Sequence, residues 1–147
     1  MLSKSIAATL LAVTLLPASA ASAQEAAPGA TANPNMGTIV FFREKKFAGA
    51  AVGYKVREND VELGRLRNGT YFAIQATPGQ HQYTVHSEAK DILTLEVDAG
   101  ETYYVQGGVT IGVLAGRPNL SPSDGATFEA LRGKLKDVTG QGIDDKD

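Results

Sequence analysis

The chain contains no cysteine, only two histidines, no apolar run of membrane-spanning length and almost no net charge. Each shortage removes a class of protein. Without cysteine there is no disulfide framework and no thiolate zinc site. The two histidines, His81 and His86, lie five residues apart on one predicted strand, an odd separation that sends them to opposite faces and prevents joint chelation. His86 shares parity with Gln82 and Thr84 on the solvent side, and His81 with Tyr83 and Val85 at the rim of the core. With no H-E-x-x-H either, the sequence argues against a zinc enzyme, and no metal or cofactor is expected.

Other motifs are missing too. No G-x-S-x-G elbow exists, and Ser121 and Ser123 merely flank Pro122. Asp144-Asp145-Lys146-Asp147 lacks the glycine and terminal Glu of a calcium loop, and Gly112 to Gly116 lacks the Lys-Ser/Thr of a phosphate loop. The longest apolar run, Ile6 to Leu16, is well short of the roughly 20 residues a bilayer core demands.

That run has another reading. Lys4 precedes it, Pro17 ends it and Ala21-Ser22-Ala23 follows, the order of a secretory signal with cleavage expected between Ala23 and Gln24. Gln24 stands where a lipoprotein would carry its acylated cysteine, so no membrane anchor is expected after cleavage, and the location implied is periplasmic or secreted. Loss of residues 1–23 removes one basic residue and leaves a charge of −3, from 13 Lys and Arg against 16 Asp and Glu. So small and mixed a charge makes no electrostatic claim on nucleic acid or anionic lipid.

The remaining 124 residues suit one domain with a self-sufficient core. Residues 24–36, read as a linker, lack large side chains whose burial would offset the entropy of ordering them. From Gly37 the pattern becomes that of an antiparallel all-β domain. Thr38 to Arg43 has four consecutive apolar residues and reads as a central strand covered on both faces. Ala51 to Arg57 turns through Glu58-Asn59-Asp60 into Val61 to Leu66, with a bulge at Gly64 that returns Leu66 to the inner face. Asn68-Gly69 leads into Thr70 to Thr77, and Pro78-Gly79 into Gln80 to Ser87. Ile92 to Val97 and Thr102 to Leu114 follow, the latter with a bulge or bend at Gly107-Gly108. Gly116-Arg117-Pro118 opens a loop through Pro122. Asp124 then caps a helix to about Lys136, whose Phe128, Leu131 and Leu135 form one stripe, and residues 137–147 read as a fraying polar tail.

Surface recognition is the function class left. Phe42, Tyr71 and Tyr104 have outward parity and form a candidate aromatic patch for sugar or protein, unless the helix or the N-terminal arm covers them. Arg43 and Arg117 are placed to meet ligand carboxylates, or else Glu44 and Asp124 of the fold. No catalytic residue is assigned. The alternatives are an envelope hydrolase using Glu62, Glu96 or Glu101, and a structural protein that associates with itself.

Read in order, Val40-Phe41-Phe42-Arg43, Leu66-x-Asn68-Gly69-Thr70-Tyr71-Phe72, Pro78-Gly79-Gln80-His81, Ala99-Gly100-Glu101-Thr102-Tyr103-Tyr104-Val105 and Gly116-Arg117-Pro118 resemble one bacterial envelope family, domain of unknown function 2846. The resemblance spans about Gly37 to Leu135. It implies a mainly β fold, an immunoglobulin-like or transthyretin-like antiparallel sandwich of seven or eight strands with one short C-terminal helix. It also implies an exported protein, often a lipoprotein, and carries over no catalytic residue. The expectation is a non-catalytic sandwich that binds an envelope protein or glycan through a sheet edge or an end loop.

Overall fold

The computed structural model describes residues 33–86, 90–111 and 116–141. The expected signal and its Ala23/Gln24 cleavage site, most of the expected linker, and residues 142–147 of the tail lie outside the described residues. Nine strands and one helix are present among those described: β1 (Gly37–Arg43), β2 (Tyr54–Glu58), β3 (Val61–Leu66), β4 (Thr70–Ala76), β5 (Gly79–His86), β6 (Lys90–Val97), β7 (Thr102–Ile111), β8 (Gly116–Ser123), α1 (Gly125–Arg132) and β9 (Lys136–Asp137). They build the two-sheet sandwich, in the orders β8-β7-β1-β4-β9 and β3-β2-β5-β6. Two pairings are parallel, β1 with β7 and β4 with β9, so the larger sheet is mixed rather than purely antiparallel.

The run Ile39-Val40-Phe41-Phe42 is central and fully buried on both faces, as four consecutive apolar residues demand. Ile39 and Phe41 face the second sheet, where Phe41 stacks on Phe72 at 5.2 Å between ring centroids and meets Tyr83 edge-on at 5.1 Å. Val40 and Phe42 face α1. Asp124 caps that helix, accepting from Thr127 N–H at 2.8 Å, and Gly133 ends it, several residues before the expected Lys136. The bulge between β2 and β3 occurs as expected: the register shifts between Val56 and Arg57 and buries Leu66.

Four further expectations are corrected. Residues 116–123 are not a loop but the edge strand β8. Leu120 N–H points away from β7 and donates to Asp91 of β6 at 2.8 Å, so Pro118 and Pro122, of equal parity, place their missing donors on that same outer side. Gly107-Gly108 makes no bulge; β7 runs through them in unbroken register with Leu120 and Asn119. Both glycines permit close approach, since a Cβ on Gly107 would lie 2.3 Å from the Tyr54 hydroxyl and one on Gly108 2.6 Å from Asn119 Oδ1. The segment after α1 does not fray at residue 137. Lys136 N–H donates to Gly69 O and Val138 N–H to Tyr71 O, each at 2.9 Å, and Val138 packs on the core along the open side between β4 and β3. Asn33 to Met36, assigned to the linker, form a turn fastened by Gly100 N–H to Met36 O at 3.0 Å.

Candidate functional site

The helix covers the aromatic patch expected at the surface. Phe128 lies 5.4 Å from the Phe42 ring, 5.1 Å from Tyr71 and 5.5 Å from Tyr104, and Phe42 and Tyr71 are buried. The Tyr71 hydroxyl donates to Asp137 Oδ2 at 3.2 Å, and burial, then that carboxylate, push its pKa up. Outward parity was read correctly, but the stripe Phe128-Leu131-Leu135 is what these rings meet. Phe42, Tyr71 and Tyr104 therefore form a second core and not a binding patch.

Two carboxylates of the hydrolase reading, Glu62 and Glu96, stand far apart. Glu62 is on β3 and Glu96 on β6, opposite edges of the four-stranded sheet. Three strand spacings alone put them on the order of 14 Å apart, beyond the roughly 5 to 10 Å that paired glycosidase carboxyls span. Glu62 is engaged by Lys55 at 2.6 Å.

Arg43, expected to meet Glu44 or a ligand carboxylate, does not pair with Glu44. It is buried at the end of β1 and donates from Nη1 to Val52 O and from Nη2 to Gly49 O at 2.6 Å, with its guanidinium 5.5 Å from the centre of the Tyr54 ring. One planar fork thus holds both ends of the turn Gly49–Val52 and supports the loop between β1 and β2 from beneath. Burial pushes the Tyr54 hydroxyl up to about 12, against the pull of Arg43. Glu44 pairs with Lys46 at 3.0 Å instead, and Asp124 is used by the helix cap. Arg117 sits exposed on β8 opposite Thr110, at the Arg43 end of the sandwich.

The loop that Arg43 supports carries the most exposed apolar side chain described. Phe47 is 101% exposed, and Ile111, on the β7 tip of the same end, is 75% exposed. Lys46 N–H donates to Asn68 Oδ1 at 2.8 Å, which ties the loop to the turn at Asn68-Gly69. Gly69 takes a positive φ of 71° there, and a Cβ on it would lie 3.1 Å from Lys45 Cβ. Beside this turn, Arg65, Arg67, Asn68, Thr70, Lys136, Val138 and Gln141 line a pocket of about 300 Å³. Three of these are cations and none is a carboxylate. Arg65 Nε is buried without a hydrogen-bond partner.

At the opposite end of the sandwich His81 makes a second clamp. Its Nδ1 lies 2.6 Å from Glu58 Oε1 and its Nε2 2.8 Å from Thr77 O. A carboxylate and a carbonyl can only accept, so both ring nitrogens donate and the imidazole is held as imidazolium. Burial by itself lowers its pKa, but the Thr77 carbonyl, the Glu58 hydrogen bond and the charges of Glu58 and Glu96 raise it overall. The ring also stacks parallel to Tyr83, 6.0 Å between centroids. His86 is exposed, on the other face, as the spacing required.

Residues 33–116 match the family described as "Protein of unknown function (DUF2846)". The chain belongs to this family. The matched span runs from the turn before β1 to the start of β8, so it includes both clamps and the loop that carries Phe47, while α1 and β9 lie beyond it. No curated protein matches the chain. Of the features at the Arg43 end, sequence reasoning identified Arg43 and Arg117 but missed Phe47. The signal for it was legible: Lys45-Lys46-Phe47 places a large ring between two lysines and four small residues, outside any strand pattern.

Proposed function

We propose that this member of the family is an exported, non-catalytic binding module of the bacterial cell envelope, which engages an envelope component through the loops at its Arg43 end. The observation that carries the reading is the fully exposed Phe47 on a loop pinned by a buried arginine. A ring left in water on a loop held in shape is the form of a contact site, since a loop without a task needs neither the apolar tip nor the internal clamp. Export is supported by the order of Lys4, the apolar run, Pro17 and Ala21-Ser22-Ala23.

Cell fractionation with N-terminal sequencing tests the location. The expected product begins at Gln24 and is released with the periplasm; a chain that stays in the cytoplasm with its first residues intact overturns export. A photo-crosslinking residue placed at 47, against one at the exposed position 61 of the opposite end, tests the surface. Adducts confined to position 47 are expected, and equal labelling at both positions would contradict a dedicated end.

A further inference from the structure

The near-zero total charge hides a segregation that the strand registers make plain. The C-terminal ends of β1, β3 and β7 and the N-terminal ends of β2, β4 and β8 lie together, and they bring Lys45, Lys46, Arg65, Arg67, Arg117 and Lys136 to one end. The described acidic residues nearest that end are engaged within the fold: Glu44 pairs with Lys46, Asp91 accepts from Leu120 N–H, and Asp137 accepts from the Tyr71 hydroxyl and Thr139 N–H. Glu58, Asp60, Glu96, Asp98, Glu101 and Asp124 lie at the other end, where Arg57 on β2 is the nearest described basic residue. The sequence-based exclusion of anionic lipid rested on total charge, and it does not survive this arrangement.

Resting on the envelope-binding reading above, we propose that the Arg43 end docks on an anionic, phosphate-bearing lipid surface. Phe47 enters the headgroup region, and Arg65, Arg67 and Lys136 take the headgroup charge. Three observations select a lipid surface. Phe47 and Ile111 stand on separate tips, a β1–β2 loop and a β7 strand end, and Phe47 lines none of the pockets around it. A fluid interface accepts isolated apolar tips independently, whereas a protein or glycan partner would be gripped by a joined apolar or ring-lined groove. Arg65, Arg67 and Lys136 have no carboxylate partner among the described residues, and the buried Arg65 Nε still has a hydrogen to donate. Phosphate oxygens supply the acceptors that such guanidinium groups lack. The lysines adjacent to Phe47 place positive charge at the depth where lipid phosphates lie, the complement of an anionic leaflet.

Flotation of the protein with vesicles tests this directly. Protein isolated from expressing cells is mixed with phosphatidylcholine vesicles or with vesicles of equal parts phosphatidylglycerol and phosphatidylcholine. Fractionation of the same cells reports export separately, so either idea can fail without the other. The docking account expects flotation with the anionic vesicles only, weakening as salt rises. The triple variant Arg65→Gln, Arg67→Gln, Lys136→Gln should lose roughly a hundred-fold in partitioning, about five-fold for each cation removed. Phe47→Ser alters only an exposed side chain and leaves the charges, so it separates docking from misfolding; it should lose about ten-fold in partitioning. Equal flotation with neutral and anionic vesicles, no flotation with either, or undiminished flotation of Phe47→Ser would overturn the proposal.

Discussion

The two ends of the sandwich are each closed by one buried or half-buried cation, yet they are built on opposite principles. At one end Arg43 donates to two backbone carbonyls and lies over the Tyr54 ring, and the surroundings are basic. At the other His81 meets the Glu58 carboxylate and a carbonyl, its charge depends on pH, and the surroundings are acidic. The arginine clamp holds the loop proposed for binding. The clamp that does titrate holds the β2–β3 turn, where Asn59 and Asp60 take positive φ of 50° and 65°, to the start of β5. The clamp beneath the binding loop therefore involves no histidine, and pH acts on the clamp at the far end.

Exchanging the charges of the two ends should have the largest effect. Lys45→Glu, Arg67→Glu and Lys136→Glu together should lower partitioning onto anionic vesicles by more than roughly a hundred-fold. The matched reversal Glu96→Lys, Asp98→Lys and Glu101→Lys should change it by less than about two-fold, because those residues lie the length of the sandwich away. Equal effects from the two sets would mean that only total charge matters.

Arg43→Ala should come next, at roughly 3 kcal/mol of stability by chemical denaturation, since it removes two charge-assisted hydrogen bonds and the stack on Tyr54. Limited proteolysis should then cut between residues 44 and 53 and spare the β2–β3 turn. The same loss should be seen at pH 5.5 and pH 9.

His81→Gln should be smaller and conditional. The folded-state pKa of His81 is raised above the unfolded value of about 6.5. Its contribution is thus complete below pH 6.5 and disappears as pH rises through the folded value. The variant should be less stable than the parent by about 2 kcal/mol at pH 5.5 and nearly equal to it at pH 9. A deficit that persists unchanged at pH 9 would assign His81 a packing role through Tyr83 instead.

Most of the fold was legible because strands read from parity and turns from glycine. β1 declared itself by four apolar residues in a row, and Gly69, Gly79 and Gly100 all take the positive φ that their turns require. What misled was local reading of residues whose reason is tertiary. Pro118 and Pro122 look like loop residues until Asp91 shows which side of β8 lacks a ladder partner. Gly107 looks like a bend until Tyr54 is found against it. Val138 sits in a polar tail and becomes ordered only because the space between β3 and β4 is open. The site was less legible for a similar reason. Tyr71 and Tyr104 point outward from their sheet, but the helix that covers them is more than twenty residues further along the chain. The polarity of the two ends is invisible in a composition and emerges only when the registers bring Lys45, Arg67, Arg117 and Lys136 together.

Because the chain contains no tryptophan, a single indole placed at either end reports on that end alone. The decisive measurement is the emission of Phe47→Trp and, separately, of Val61→Trp, which is 63% exposed at the acidic end, during titration with phosphatidylglycerol vesicles. The docking account predicts a blue shift and protection from aqueous quencher for Phe47→Trp, reversed by high salt, with no change for Val61→Trp. An unshifted spectrum at position 47, or the same shift at both positions, would contradict it.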